Sequence, residues 1–241
     1  MGIIYSTKAL QPRRQYDHYP TPSGLVRAAL ELVPDGMNVE RILDPASGTG
    51  VWGAVARKRW PEAFIEGVEL QVANPCASYD SWKTMDYFRF LAAHHNGPYD
   101  LIIGNPPYGK PIKTMAELFV RASMSVLAPE GKLMFLLRSA FFEGIDRGRD
   151  FFVKHRPTDM YQLMRRPSFT GNNKTDSTAY ALFVWDHTKP NYTRAWHLDW
   201  EYGESTPEDR PFKATIMLMD SQMEIFEMFK PPIKAIQNSL F

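Results

Sequence analysis

The chain has 241 residues, of which 44% are hydrophobic, with 28 Lys and Arg against 27 Asp and Glu. This length predicts one domain, or one domain with a small appendage, and the hydrophobic fraction is too high for a disordered chain. A net charge of +1 excludes a histone-like protein that holds nucleic acid by bulk charge, although a local basic face remains open. The single cysteine, Cys76, excludes a disulfide framework and a cysteine-based zinc site.

A membrane span needs about 18 consecutive apolar residues, and no apolar run in the sequence approaches that length. The first ten residues lack the pattern of a signal peptide. We therefore expect a cytoplasmic protein that does not contact membranes. His94 and His95 have no acidic or cysteine partners at ligand spacing, so no metal site is predicted.

Short apolar runs alternate with helical patterns along the chain. The first 20 residues have no clear period, and Thr21-Pro22-Ser23 then predicts a helix that ends near Val33, with Thr21 as its cap. Further helices are predicted at 51–60, 113–127 and 146–155, and strands at 39–44, 63–70, near Met85, and at 99–104, 132–137, 160–165 and 179–186. This alternation predicts an α/β fold, a mostly parallel sheet with helices on both faces.

The chain divides into three segments by composition. We expect an irregular segment at 1–22, an α/β domain at 23–186 and an acidic, partly helical extension at 187–241. The extension holds eight acids between Asp199 and Glu227 against two bases, and apolar spacing predicts a helix at 215–229. That helix either packs on the domain or docks a partner protein.

A glycine-rich turn follows the first predicted strand. Its sequence is Asp44-Pro-Ala-Ser-Gly48-Thr-Gly50, and the glycines let the backbone turn sharply and a ligand approach closely. Asp44 places a negative charge at the carboxyl end of the strand, where open α/β sheets bind ligands. The turn differs from the phosphate-binding turn of dinucleotide enzymes, because the third glycine is missing and the acid comes too early.

Two further acids end the next two predicted strands. Glu69 can accept hydrogen bonds from both hydroxyls of a ribose, and Asp86 can accept one from an adenine amino group. Each acid taken singly is typical of a solvated strand end. Together with the Asp44 turn they outline a nucleoside with an amino-acid tail, which is the shape of S-adenosylmethionine.

The strand at 99–104 leads into Asn105-Pro106-Pro107-Tyr108. Two prolines leave this loop few conformations, and they donate no N–H group that would compete for the loop's carbonyls. The Asn105 side-chain oxygen and the Pro106 carbonyl can accept from one NH₂ group, and Tyr108 offers a flat face on which a base can stack. A base in a duplex would first have to be flipped out.

These motifs, in this order, resemble those of class I S-adenosylmethionine-dependent amino-methyltransferases, and most of all those of phage and bacterial DNA N6-adenine methyltransferases. Tyr19-Pro-Thr21-Pro22 is similar to the amino-terminal cofactor motif of that family. The segment from Arg166-Pro-Ser-Phe169 to Trp185 is similar to the end of the domain in small phage-type members. The resemblance covers residues 16–186, and the asparagine-proline-proline-tyrosine motif narrows the target to a planar or amide nitrogen.

The resemblance implies a Rossmann-like fold with a seven-stranded sheet whose last strand is antiparallel, and S-adenosyl-L-methionine as the cofactor. It implies methyl transfer to an exocyclic amino nitrogen, first of all N6 of adenine in DNA. The catalytic residues it implies are Asn105, Pro106, Pro107 and Tyr108. The cofactor-binding residues it implies are Tyr19, Thr21, Asp44, Ala46, Gly48, Gly50, Glu69, Leu70, Asp86 and Asn105.

Other targets stay open. Adenine in RNA, cytosine N4 and a protein glutamine all present an amino group of similar geometry, and a cofactor-binding interaction subunit without activity is the alternative from another class. Residues 138–174 carry eight bases against four acids, which can contact phosphates or form a solvated helix face. We expect the polar loop Gly171-Asn172-Asn173-Lys174 to lie over the target base, and Phe169 is a candidate pocket residue.

Overall fold

The computed structural model describes residues 20–71, 74–93, 97–108, 114–169, 177–189 and 192–200. Their strands are β1 Arg41–Asp44, β2 Phe64–Glu69, β3 Ser81–Thr84, β4 Tyr99–Gly104, β5 Leu127–Arg138, β6 Asp159–Leu163, β7 Tyr180–Asp186 and β8 Arg194–Leu198. The helices are α1 Ser23–Glu31, α2 Val51–Arg59, α3 Tyr87–Ala93, α4 Met115–Met124 and α5 Phe152–Lys154, with a 3₁₀ turn at Ser139–Phe142 and a π-helical turn at Arg147–Phe151.

The strands form one sheet in the order β3-β2-β1-β4-β5-β7-β6-β8. β7 runs antiparallel to both of its neighbours, and the other pairs are parallel. The strand order reverses direction between β1 and β4, and ligands of open α/β sheets bind outside the carboxyl ends of the strands at such a point. The topology therefore places the site beside Asp44 and Gly104.

Apolar side chains cover both faces of the sheet. On β1, Ile42 belongs to a buried cluster with Leu25 of α1, whereas its neighbour Leu43 belongs to a second cluster with Phe90 of α3 and Phe119 of α4. Successive residues of a strand point to opposite faces, so one buried strand supplies both clusters. The mostly parallel sheet with helices on both faces is confirmed.

The predicted strand count of seven is wrong, because the sheet has eight strands. β8 lies at 194–198, within the segment expected to be an acidic, partly helical extension, so the sheet continues past Asp186. β8 pairs parallel with β6, and the buried Asp159 at the start of β6 accepts hydrogen bonds from Arg194, Trp196 and Lys189. These polar contacts hold β8 at the sheet edge.

Helix beginnings also differ from expectation. Pro22, not Thr21, caps α1, and its carbonyl accepts from the amides of Leu25 and Val26. The Thr21 hydroxyl instead accepts a hydrogen bond from the Trp52 indole at 3.3 Å. Within the part of the chain that the structure describes, no helix is both long and apolar enough to cross a membrane. Tyr19, the 171–174 loop and the helix predicted at 215–229 lie outside the described residues.

Candidate functional site

A cleft of about 930 Å³, counted with its open mouth, lies at the carboxyl edge of the sheet. Its walls come from the residues that precede α1, from the segments that follow the first four strands, including the starts of α2 and α3, and from α4. Eight of the residues that the sequence assigned to the cofactor or to catalysis line it, namely Thr21, Ala46, Gly48, Glu69, Leu70, Asp86, Asn105 and Pro107. The structure thus brings together residues that are up to 86 positions apart in the chain.

The glycine turn is held in place by Glu69. The Gly48 amide donates to Glu69 Oε2 at 2.7 Å, and the Gln71 amide donates to Oε1 at 2.9 Å. The Ser47 amide donates to the Val68 carbonyl, so the turn is tied to β2 at two points. A carboxylate has about four acceptor positions, so Glu69 can hold this turn and still accept from the hydroxyls of a ribose.

Asp44 lies behind the cleft wall and is fully buried, not at the surface of the cleft. Its Oδ2 accepts a hydrogen bond from the Tyr79 hydroxyl at 2.7 Å, and its Oδ1 has no partner among the described residues. Burial raises the pKa of Asp44 to about 7, although the hydrogen bonds from Tyr79 and from the Ala46 amide oppose that rise. A Cβ added at Gly104 would come within 3.0 Å of Oδ1, so Asp44 also borders the loop that begins at Asn105.

Tyr79 is a site residue that sequence reasoning missed. Its hydroxyl accepts from the Gly53 amide at 2.9 Å while donating to Asp44. The ring occupies space that glycines leave, since a Cβ at Gly53 would lie 2.3 Å from it. Gly50 adopts a φ of 84°, and a Cβ there would lie 2.5 Å from Cys76. Gly50 therefore shapes the turn without lining the cleft.

The far end of the cleft is apolar on one side and acidic on the other. Asp86 accepts from the Arg89 amide at 3.0 Å and so begins α3, while its half-buried carboxylate lines the cleft. Phe88, which the sequence analysis did not single out, lines the same end and packs edge-on against Phe119 at 5.3 Å. An aromatic wall with an acceptor beside it is suited to a purine that carries an amino group.

The Asn105-Pro106-Pro107-Tyr108 loop separates this cleft from a second cavity. Asn105 and Pro107 line the cleft, Pro106 is buried within the loop, and Tyr108 lines the second cavity. The Tyr108 hydroxyl donates a hydrogen bond to Asn105 Oδ1. The Tyr108 ring packs against Tyr180 at 5.7 Å, and Phe169 packs edge-on against the same Tyr180 ring at 5.1 Å, so Phe169 supports the loop indirectly.

The cleft fits S-adenosylmethionine by its chemistry. Ser47 lines the cleft, and its hydroxyl oxygen is buried without a partner among the described residues. Buried polar groups in proteins are nearly always hydrogen-bonded, so unsatisfied ones beside a cleft indicate a polar ligand group there. The glycine turn would hold the amino-acid end, Glu69 the ribose, and Asp86 with Phe88 the adenine. In the part of the chain that the structure describes, no cluster of His, Cys, Asp and Glu could hold a metal ion.

Comparison with known proteins supports the same fold. Residues 27–142 match the methyltransferase small domain family. A curated relative, the tRNA1(Val) (adenine(37)-N6)-methyltransferase of Serratia proteamaculans, is 32% identical over 106 residues, which are 35% of this chain and 40% of that protein. The chain thus spans less than half of that relative's length.

Two solved structures share the architecture. A Listeria monocytogenes protein assigned to the class I S-adenosylmethionine-dependent methyltransferases aligns with a TM-score of 0.56 at 16% identity, over 89% of this chain and 72% of that one. The methyltransferase subunit of a type I restriction-modification system from Streptococcus thermophilus aligns with a TM-score of 0.57 at 13% identity, over 88% and 52%. Residues 27–142 therefore match the methyltransferase small domain family, this chain has the class I S-adenosylmethionine-dependent methyltransferase fold, and S-adenosylmethionine is the cofactor that the matched family and the fold indicate.

Proposed function

We propose that this chain is an S-adenosylmethionine-dependent methyltransferase that acts on an exocyclic amino nitrogen, namely N6 of adenine in DNA. One observation carries the proposal: the loop Asn105–Tyr108 is the wall shared by the cofactor cleft and the second cavity. A group that is bound in the second cavity against this loop would lie next to Asn105, with the cleft on the other side of the loop. The resemblance of the loop and of the glycine turn to DNA N6-adenine methyltransferases supports the choice of adenine.

The loop supplies acceptors and a stacking surface in place of a strong base. S-adenosylmethionine, when bound, supplies a methyl group on a positively charged sulfur, which is already activated. Asn105 Oδ1 and the Pro106 carbonyl would accept the two N–H bonds of the amine and orient its nitrogen lone pair toward the cleft. The Tyr108 hydroxyl donates a hydrogen bond to Asn105 Oδ1, and this hydrogen bond orients the Asn105 side chain.

Methyl transfer from isotope-labelled cofactor to separate pools of DNA, RNA and protein tests the proposal, with identification of the modified base by mass spectrometry. We expect label in DNA as N6-methyladenine. Transfer to protein alone would overturn the proposal, and an intact protein that binds cofactor without transfer to any pool would favour the inactive interaction subunit.

Asn105→Ala should lower kcat on the order of 100-fold or more, because the amine loses an oriented acceptor. Cofactor affinity, measured by calorimetry, should change little. Tyr108→Phe is the matched variant, since it keeps the stacking ring and removes only the hydroxyl that orients Asn105. We expect it to lower kcat roughly tenfold, the effect of one lost hydrogen bond. An active Asn105→Ala protein would contradict the role of this side chain.

Adenine in RNA is the second candidate function. It is favoured by the curated relative from Serratia proteamaculans, whose name describes an adenine-N6 methyltransferase of tRNA. The same three-pool assay separates the two candidates, because label in RNA but not in DNA would select the second.

A further inference from the structure

The second cavity has a chemical character that differs from that of the cofactor cleft. It measures about 430 Å³ with its open mouth and is lined by Tyr108, Ala116, Leu137, Arg138, Ala140, Phe141 and Arg147. Its lining residues include two arginines, two aromatic rings and no acid. A cavity of this composition is suited to a ligand that has both a flat ring and an anionic group.

The two arginines differ in what they already bind. Arg147 donates to the carbonyls of Glu143 and Ala140, and its guanidinium lies 5.4 Å from the centre of the Phe141 ring. Its hydrogen bonds therefore stabilise the turn after β5. The Nε atom of Arg138 is buried and has no hydrogen-bond partner among the described residues. The Arg138 side chain is half-buried and lines the cavity, so an acceptor on a ligand in the cavity would satisfy this N–H group.

Arg138 also has a fixed position relative to the loop. It is the last residue of β5 and pairs with Tyr180 of β7, so its backbone is anchored at the carboxyl edge of the sheet. Its guanidinium lies 5.4 Å from the centre of the Tyr108 ring, in a cation–π arrangement. Tyr108 in turn packs against Tyr180. The unpaired donor is thus held beside the ring on which a target base would stack.

We propose that Arg138 binds a backbone phosphate adjacent to the target nucleotide, and that the cavity around it is the entry of the target strand. This inference rests on the proposed function and adds a residue that recognises the backbone and not the base. A guanidinium presents its Nε–H and one Nη–H to two phosphate oxygens, a geometry that lysine cannot reproduce. The contact is independent of base sequence, so it would position the strand without selecting it.

The test uses oligonucleotides that contain the site methylated by the wild-type protein in the assay above, each with one uncharged methylphosphonate linkage at a different position. For the wild-type protein, we expect one linkage next to the target adenine to raise KM roughly tenfold, as loss of a charge-assisted hydrogen bond does. Arg138→Gln should raise KM by a similar factor on unmodified oligonucleotide and be insensitive to that linkage. Arg138→Lys should recover little of the loss.

Lys58→Gln is the matched control, because it removes the same charge at the end of α2, at the opposite edge of the sheet. It should keep the wild-type response to every linkage. The melting temperature and the cofactor affinity of Arg138→Gln should stay at wild-type values, which separates a binding role from a structural one. If that variant does not fold, the scan on the wild-type protein decides, and equal effects at all linkages would overturn the inference.

The two proposals fail in different ways. DNA or RNA methylated by the wild-type protein, together with an Arg138→Gln protein that shows the wild-type KM and linkage response, would overturn the phosphate contact alone. No transfer by the wild-type protein to either nucleic acid would overturn the proposed function, and this inference with it.

Discussion

At position 44 a carboxylate lies where solvent does not reach, one layer behind the cofactor cleft. The Tyr79 hydroxyl binds one of its oxygens, and the other faces the start of the Asn105 loop. Asp44 therefore lies between the glycine turn, which would hold the cofactor, and the loop that would hold the target. Ionisation of Asp44 would be unfavourable for both the turn and the loop, because a buried charge without full hydrogen bonding is costly.

The pH dependence of stability provides a test at this residue. Burial raises the pKa of Asp44 from 3.8 to about 7, so the folded state binds this proton more tightly than the unfolded chain does. The stabilising contribution is complete below pH 3.8 and is lost as pH rises to about 7. The loss amounts to at most about 4 kcal/mol.

Asp44→Asn should lack this dependence, so its unfolding free energy relative to the wild-type protein should rise between pH 5 and pH 8. Urea denaturation of both proteins at several pH values measures the difference. The difference in unfolding free energy between the two proteins is the quantity to compare. Asp159 and Asp186 have lowered pKa values and affect the pH dependence of stability with the opposite sign, but they do so equally in both proteins. Parallel curves for the two proteins would contradict the assignment.

The sequence predicted where individual site residues lie in the fold better than it predicted which side chains they contact. Asn105, Glu69 and Asp86 lie at the carboxyl ends of strands. The sequence predicts these positions, because each of the three residues follows or ends a short predicted strand. The hydrogen bond between Tyr79 and Asp44 joins residues 35 positions apart. Tyr79 lies in the loop between β2 and β3, where the sequence has no hydrophobic periodicity. No local pattern encodes such a contact, because it depends on how three chain segments pack.

At the scale of elements, the glycine turn and α2 depend on space for one aromatic ring. Gly53→Ala should destabilise the protein by roughly 1–3 kcal/mol, since the added methyl overlaps the Tyr79 ring. Gly36→Ala is the matched control, because a Cβ there meets nothing within 4 Å. Thermal unfolding of both variants measures the effect. Equal stabilities would show that Tyr79 can move aside without cost.

The buried strand β4 was predicted with its exact bounds, β5 begins five residues before the predicted 132–137, and the short amphipathic elements were predicted less well. The strand expected at 99–104 matches β4 residue for residue, because it lies between two neighbouring strands and its sequence is apolar except for Asp100. β8 alternates exposed and half-buried residues at the edge of the sheet, and its place depends on Asp159 of β6. The expected helix at 146–155 is a π-helical turn followed by one short α-helical turn, which helical spacing alone cannot distinguish.

At the scale of the whole molecule, the strand order predicts a gradient of local stability. β4, β5 and β7 lie inside the sheet and are buried along most of their length, whereas β3 and β8 lie at its two edges. Backbone amides of the inner strands should exchange with solvent only on global unfolding, and those of the edge strands by local opening. Native-state hydrogen exchange with residue resolution checks this expectation, and uniform protection across the sheet would contradict it.

The near-zero net charge conceals an uneven distribution. Residues 138–174 have an excess of four bases, and residues 175–241 an excess of four acids. Arg138, at the start of the basic segment, belongs to the sheet and borders the second cavity, whereas Arg147 is bound to backbone carbonyls. Affinity for nucleic acid would therefore come from a few basic side chains at defined positions, and it should weaken as salt is added.

The position of β7 has a consequence for how the chain is made. β7 separates β5 from β6 in the sheet, yet it is synthesised after both. Until Tyr180–Asp186 leaves the ribosome, β5 and β6 each have a row of unpaired backbone groups, and the two strands cannot pair with each other as they do with β7. Unpaired strand edges promote association between chains. The nascent chain is thus vulnerable to association from the time that β5 leaves the ribosome until β7 has followed it, and slow translation during that interval would prolong the exposure.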